Sequence, residues 1–287
     1  MILVTGSTGF VGRVLMRQLQ EANIEARGFN GHINNVLNIR KQLEDIKIVI
    51  HLSGAETRGR NRLLDSIDVE GTQRLVDECQ RAGIQHLIYV SRIGADPSVW
   101  QPLLRAKGLA ERAIQRSRVP YTILQSTSVY GWGDRYFELI VGLAIWSWPF
   151  VWLPGGGRNP VQPLWVEDLA RCIMITLKDI HKKNKTLMLA GSERMSYYVL
   201  VELLLGMSGH RRMPVQFPLQ ILKPLTVLMF RWWYWPAVSR YFADRFFVPE
   251  VTEVDIVQRN FGFQPVRVRE SISYLNRSGL RWRLFRR

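Results

Sequence analysis

Three glycines at a fixed spacing carry the strongest chemical signal in the sequence. They stand in Thr5-Gly6-Ser7-Thr8-Gly9-Phe10-Val11-Gly12, directly after the apolar run Ile2-Leu3-Val4 and at the start of a helical pattern. That arrangement suits the pyrophosphate of a dinucleotide. Gly6 permits a tight turn, Gly9 lets the backbone approach the phosphates, and Gly12 lets the helix pack closely on the strand. The helix N-terminus then offers N–H groups and a partial positive charge. Ser7, Thr8, Phe10 and Val11 complete the candidate cofactor loop.

The end of the second strand decides which dinucleotide fits. An acid there bonds the ribose 2′-hydroxyl of NAD and repels a 2′-phosphate. Residues 26–30 read Ala-Arg-Gly-Phe-Asn, with no acid, and Arg27 and Arg13 supply cations that could meet a 2′-phosphate. NADP(H) is therefore favoured, with NAD(H) left open. Other titratable residues promise less chemistry. Glu167 and Asp168 are adjacent acids of the kind that favour a helix N-terminus. His51 ends an apolar run and reads as a buried, satisfied histidine. Cys79 and Cys172 lie far apart with no metal-ligand spacing, which fits reduced thiols and no metal site.

These residues need a scaffold of alternating elements. Apolar strand-like runs at 24–29, 46–52, 86–91 and 121–125 alternate with helical patterns at 10–22, 39–45, 62–82 and 103–117. Strands separated by helices imply parallel crossovers, hence an α/β fold: a Rossmann doubly wound parallel sheet with helices on both faces. The sequence suggests a nucleotide-binding domain over 1–160 and a smaller C-terminal α/β lobe over 161–287, together one compact unit. The apolar stretch 137–153 is interrupted by Glu138 and Pro149. It falls short of the roughly 20 residues of a membrane span and reads as a helix followed by a strand.

Charge and aromatic content bear on partners. The chain has 287 residues, 39 Lys plus Arg against 24 Asp plus Glu, and a formal net charge of +15. Such a field favours anionic partners. No recognised nucleic-acid motif accompanies it, so no specific nucleic acid is expected. Residues 214–249 gather Trp232, Trp233, Tyr234 and Trp235 with Arg231, Arg240 and Arg245, divided by prolines. Residues 279–287 alternate arginine with large apolar groups. Both read as docking segments for an anionic membrane surface or a membrane protein complex, without a transmembrane helix. The glycine motif begins at once, which leaves no room for a signal peptide. The expected location is peripheral, on the cytoplasmic side of a membrane or the stroma or matrix side of an organelle.

The order of motifs resembles the short-chain dehydrogenase/reductase superfamily, in its extended and atypical branches. TGSTGFVG at 5–12, HLSGAE at 51–56, DVEGT at 68–72, YVSRIGA at 89–95, LLRAKGLAE at 103–111, YTILQSTSVYG at 121–131 and PLWVEDLA at 163–170 follow one another in that order. The resemblance implies that Ser53, Gly54 and Ser91 lie along the cofactor. It places Asn35 where the family often has an aspartate bonding adenine, and Ser128 to Tyr130 beside the nicotinamide. It also implies a Tyr-x-x-x-Lys pair, in which lysine lowers the tyrosine's pKa and tyrosine exchanges the proton that accompanies hydride transfer. Here Lys107 is retained, but Leu103 stands at the tyrosine position, Ile93 stands near the expected serine, and Gln125 replaces a frequent arginine. Lys107 can still bind ribose hydroxyls, and Tyr130 is a candidate to replace the lost proton donor, beside its reading as a packing tyrosine in a VYG turn.

Within that superfamily the chain is most similar to the nucleotide-binding accessory subunits of respiratory complex I and to related photosystem-assembly factors. The resemblance implies a nucleotide-holding accessory or assembly subunit of a membrane-associated complex. The alternative is an NAD(P)H-dependent reductase or epimerase acting on a hydrophobic small-molecule substrate.

Overall fold

The computed structural model describes residues 1–56, 61–134, 136–221, 241 and 246–276. In chain order it begins with β1 (Ile2–Thr5), α1 (Phe10–Glu21), β2 (Ala26–Gly28), α2 (Val36–Gln42) and β3 (Ile48–His51). A short α3 (Asn61–Leu63) runs through a π-type stretch, Leu64–Gly71, into α4 (Thr72–Arg81). Next come β4 (His86–Arg92), α5 (Pro102–Arg116), β5 (Tyr121–Ser126), β6 (Val129–Tyr130), α6 (Phe137–Trp146) and β7 (Phe150–Pro154). After these stand β8 (Pro160–Val161), β9 (Leu164–Trp165), α7 (Val166–Lys178), β10 (Lys185–Leu189), β11 (Met195–Ser196), α8 (Tyr197–Met207) and β12 (Met213–Phe217).

The main sheet has six strands in the order β10-β5-β4-β3-β1-β2. All five pairings are parallel. Parallel strands buried on both faces need apolar side chains at nearly every position, and all four residues of β1 are buried. Helices cover both faces: α1 packs on α7, while α4 packs with α2 and α5. On α4 the buried stripe is Leu75, Val76 and Cys79, one face of a 3.6-residue period. Each such apolar side chain contributes about 1.5–3 kcal/mol when fully buried.

The chain divides into two units, Met1–Ser126 with Val166–Leu189, and Thr127–Trp165 with Ala190–Arg287. This division is discontinuous, where the sequence suggests a single boundary at residue 160. The reason is strand pairing: β10 completes the sheet beside β5, with Lys185 opposite Thr122 and Leu189 opposite Ser126. The chain must therefore return to the first unit through α7.

The second unit has its own core, built from Phe137, Ile140, Leu200, Leu204, Phe246 and Ile272. Three two-stranded sheets frame it: β11 with β8, β12 with β7, and β6 with β9. The predicted helix-then-strand division of 137–153 corresponds to α6 and β7. Asp134 opens α6 by accepting N–H bonds from Tyr136 and Phe137 at 3.0 and 2.8 Å. Of the docking segment 214–249, residues 222–240 and 242–245 lie outside the described residues, as does the whole tail 279–287. No described helix is long and apolar enough to cross a membrane.

Candidate functional site

The glycine loop of the first unit is built for close approach. Gly6 has a φ of +71°, and a Cβ there would sit 2.9 Å from the Ser53 nitrogen. The turns after β1 and β3 therefore touch, at the point where sheet order reverses and a crevice opens at strand C-terminal ends. A Cβ on Gly12 would lie 2.1 Å from the Gly6 carbonyl oxygen and 2.7 Å from the Ser7 Cα, so only glycine lets α1 start against the loop. Gly9 precedes α1 in extended conformation, and its N–H donates to the Gly6 carbonyl at 2.9 Å. No side chain caps α1, and no acid stands in its first turn. The N–H groups of that turn keep their preference for an anion. A Cβ at Gly28 of β2 would meet the Ser7 hydroxyl oxygen at 2.3 Å, so Ser7 rests directly on the strand end. This donor set fits a dinucleotide pyrophosphate.

The two arginines differ. Arg13 donates to the Thr8 carbonyl at 2.8 Å, which keeps its guanidinium at the loop. An open depression of about 640 Å³ is lined by Ser7, Thr8, Arg13, Arg17 and Ala26 among others. Arg27 instead donates to the carbonyls of Gln42 and Glu44 at 2.5 and 3.3 Å. There it serves the C-terminal end of α2, where a cation suits the unsatisfied carbonyls. Asn35 is likewise engaged: its side-chain oxygen accepts the Asn38 N–H at 3.1 Å and caps α2. The side chain thus caps a helix at the position where the resemblance implies an adenine contact.

A buried charged group stands along α5. Leu103, Lys107 and Glu111 are successive i, i+4 positions, all buried, as expected for one helix face. The Lys107 ammonium lies 2.9 Å from Oδ1 of Asp68, with side chains 8% and 0% exposed. Asp68 comes from the π-type stretch, a departure from regular helix often found at functional sites. Its other oxygen accepts the Ala55 N–H at 2.8 Å. A Cβ at Gly54 would lie 3.0 Å from Asp68 Oδ1 and 3.2 Å from Lys107 Nζ. Gly54 thus lets the backbone after β3 lie flat against the ion pair. The ammonium also sits 5.3 Å from the centre of the Tyr89 ring. Burial pulls Lys107 down, but Asp68 and Tyr89 more than reverse this and hold it above the ordinary lysine range. Tyr89, wholly buried, is pushed up to about 12 by burial.

Glu111 lies one turn beyond Lys107. Gln125 Nε2 donates to its two oxygens at 3.0 and 2.8 Å. Burial pushes the Glu111 carboxyl up, against the hydrogen bonds from Gln125 and the charge of Lys107. Ser91 of β4 is buried opposite Gln125 in β5. At the C-terminal end of β4, Arg92 Nη1 donates to Glu56 Oε1 at 3.0 Å. Sequence reasoning assigned no role to Asp68, Glu111, Glu56 or Arg92. The available signal was the DVEGT and LLRAKGLAE motifs, where an acid in a buried register needs a partner.

His51 is a structural histidine. It joins Thr5 Oγ1 at 2.7 Å and Thr72 Oγ1 at 3.0 Å, tying β1, β3 and α4 together. Burial, helped by Lys107, pulls it down to about 3, so it stays neutral. Glu167 takes both of its oxygens to Arg17, at 2.5 and 2.6 Å, and with Asp168 occupies the first turn of α7. Both cysteines are free and buried. Among the described residues no cluster of His, Cys, Asp and Glu could hold a metal ion.

In the second unit, Ser128 donates to Glu250. Tyr130 is 0% exposed and stacks on Phe137 at 4.5 Å. Its hydroxyl bonds the Ser271 hydroxyl at 2.6 Å. The Tyr130 ring is thus held by packing and a hydroxyl–hydroxyl bond within the second unit.

Residues 17–136 match a family described as NAD(P)H-binding. The chain is 28% identical over 247 residues to mitochondrial NADH dehydrogenase (ubiquinone) 1 alpha subcomplex subunit 9 of Arabidopsis thaliana, covering 77% of this chain and 61% of the relative. The Mus musculus protein of that description is 25% identical over 246 residues, covering 84% and 64%. The chain therefore spans less than two thirds of the length of these mitochondrial relatives. Photosystem II assembly factor Ycf39 of Synechocystis is 23% identical over 298 residues, covering 96% and 89%. Among solved structures, MoeE5 in complex with UDP-glucuronic acid and NAD has a TM-score of 0.75 at 19% identity, covering 95% of this chain and 96% of that one. The Thermotoga maritima UDP-glucose 4-epimerase with UDP-glucose has a TM-score of 0.70 at 18% identity, covering 99% and 98%. These likenesses show the fold.

Proposed function

We propose that this chain, an atypical member of the short-chain dehydrogenase/reductase superfamily homologous to a complex I subunit and to a photosystem II assembly factor, holds NADP(H) as a bound nucleotide and serves as an accessory or assembly subunit of a membrane-associated complex. One observation carries the reading. One turn before the buried Lys107–Asp68 pair, α5 presents Leu103, which has no proton to give. A hydride step at a carbonyl needs a proton donor beside the lysine. The bound nucleotide then acts on stability, since a ligand that binds only the folded state raises its population by mass action.

Arg13 supports NADP(H) over NAD(H), because it lies at the loop and no acid stands at residues 26–30. Gly6, Ser7, Thr8, Gly9, Phe10, Val11 and Gly12 would hold the pyrophosphate, and Ser53 and Gly54 would lie along the cofactor toward its nicotinamide side. When bound, the nucleotide supplies a hydride donor or acceptor. The chain's own residues bind and orient it, and Lys107 keeps a positive charge near the loop after β3. A second reading, a reductase or epimerase on a hydrophobic substrate, has one observation in its favour: Glu111 is a buried acid raised toward the protonated form one turn from Lys107.

The test is mass analysis of the nucleotide that co-purifies, followed by single-turnover mixing with carbonyl and quinone substrates. Tightly held NADP(H) that no substrate oxidises or reduces is the expected result. Rapid turnover would sink the accessory-subunit reading, and failure to bind any nucleotide would remove its foundation.

A further inference from the structure

The second unit carries an apolar face that its own core does not use. In β7 the side chains alternate: Val151 and Leu153 are 7% and 3% exposed, while Phe150 and Trp152 are 40% and 50% exposed. That alternation is the period of two of a strand with one face on the core. β12 lies parallel beside it, with Met213 opposite Phe150 and Val215 opposite Trp152. Paired residues on neighbouring strands point to the same side, so Met213, 62% exposed, extends the outward face. Phe217 closes it, its ring meeting Trp152 edge-on at 6.0 Å. Trp148, just before β7, is 73% exposed.

The described segments that carry this face hold cations and no acid. Residues 139–166 and 203–221, which contain β7 and β12, have no aspartate or glutamate. They hold Arg158, Arg211 and Arg212. Arg212 is fixed at the end of α6, donating to the Ala144 carbonyl at 2.7 Å, one residue before Met213. Aromatic rings and methionine on one surface, with cations and no anions in the same segments, match the interfacial zone of a bilayer. There tryptophan rings sit at headgroup level and arginines meet anionic lipid. A protein interface commonly sets charges of both signs against each other, and these segments offer cations alone.

We propose that the outward face of the β7–β12 sheet lies in the interface of a membrane containing anionic lipid. The proposal rests on the docked-subunit reading above and names its surface and its partner. No described helix can cross a bilayer, and the proposed contact is made by rings entering the headgroup layer.

The test is flotation of the full chain with vesicles of phosphatidylcholine alone or of phosphatidylcholine with phosphatidylglycerol. The expected result is binding to the anionic vesicles only, weakened by salt. Phe150→Ser with Trp152→Ser is expected to reduce that binding at least about tenfold. Both positions are half-exposed, so folding and nucleotide content should be unchanged, and both are measured. Arg211→Glu tests the charge without touching a ring and should weaken anionic binding alone. Equal flotation of wild type and the double variant overturns the proposal. So does a wild type that ignores vesicles while the double variant loses a co-purifying membrane protein; in that case the face docks on protein and the accessory-subunit reading survives. Loss of nucleotide from the wild type strikes the functional reading instead, independently of what the vesicles report.

Discussion

The ammonium of Lys107 stands 2.9 Å from Oδ1 of Asp68, and both side chains are buried. Breaking such a pair from one side strands a charge, which costs about 3–5 kcal/mol. Lys107→Met is therefore expected to lower the unfolding free energy by about that amount. Lys107→Met with Asp68→Asn should recover most of the loss, because asparagine keeps an acceptor for the Ala55 N–H without the charge. Urea denaturation of the two variants checks this. Equal losses would mean that the pair is not what stabilises this part of the first unit.

Gly12→Ala places a Cβ 2.1 Å from the Gly6 carbonyl oxygen. The atom in the way is backbone, so the loop and α1 must separate. The expected cost is about 1–3 kcal/mol or more, together with loss of nucleotide binding. Gly83→Ala is the control: its Cβ meets nothing within 4 Å, though φ is +67°. It should cost about 1–2 kcal/mol from backbone strain alone and leave the nucleotide in place. Calorimetric melts with and without added NADPH separate the two effects.

Arg13→Ala tests cofactor choice. A hydrogen bond from a guanidinium to a phosphate contributes about 1.5–3 kcal/mol, so NADPH affinity should fall roughly 10- to 100-fold. NADH has no 2′-phosphate, and its affinity should change less than about threefold. Arg27→Ala is expected to act differently, lowering stability through α2 with little discrimination between the two nucleotides. Fluorescence titration with each nucleotide decides, and equal losses for both after Arg13→Ala would remove the case for NADP(H).

Acid should destabilise the fold before most carboxylates titrate. Burial holds His51 at about 3 and His86 at about 4, both below the unfolded value of about 6.5. The unfolded chain therefore binds protons first as pH falls. The stabilisation is fully present above about pH 6.5 and declines toward each folded pKa, by up to about 1.4 kcal/mol per pH unit for each histidine. Denaturation midpoints between about pH 7 and about pH 5 should fall accordingly. His86→Gln, which can keep the bond now made to Thr122, should remove close to half of the slope. A flat profile in the wild type would contradict the neutral, buried state of both rings.

Much of the first unit was legible in the residues alone. The glycine loop is local: a turn needing positive φ at Gly6 and a helix start needing no side chain at Gly12 are written in eight consecutive positions. The alternation of apolar runs with 3.6-residue patterns likewise announced a parallel α/β sheet, because each element declares its own buried face. The absence of an acid at residues 26–30 is a fact of sequence too. Leu103, four residues before Lys107, put a leucine on the same helix face as the lysine before any coordinates were needed.

Tertiary structure decided the partners. Helical periodicity puts Lys107 and Glu111 on one face of α5, but only the fold brings Asp68 from the π-type stretch and Gln125 from β5 to meet them. Only the fold brings the end of α2 within reach of Arg27, and Phe137 and Ser271 against Tyr130. The discontinuous units and the outward rings of Phe150 and Trp152 depend on pairings of β10 with β5 and of β12 with β7 between residues 63 positions apart, such as Lys185 with Thr122 and Met213 with Phe150. Local sequence fixes backbone preference and which face is apolar. Which charge finds which, and which apolar face is left to solvent, are set by long-range packing.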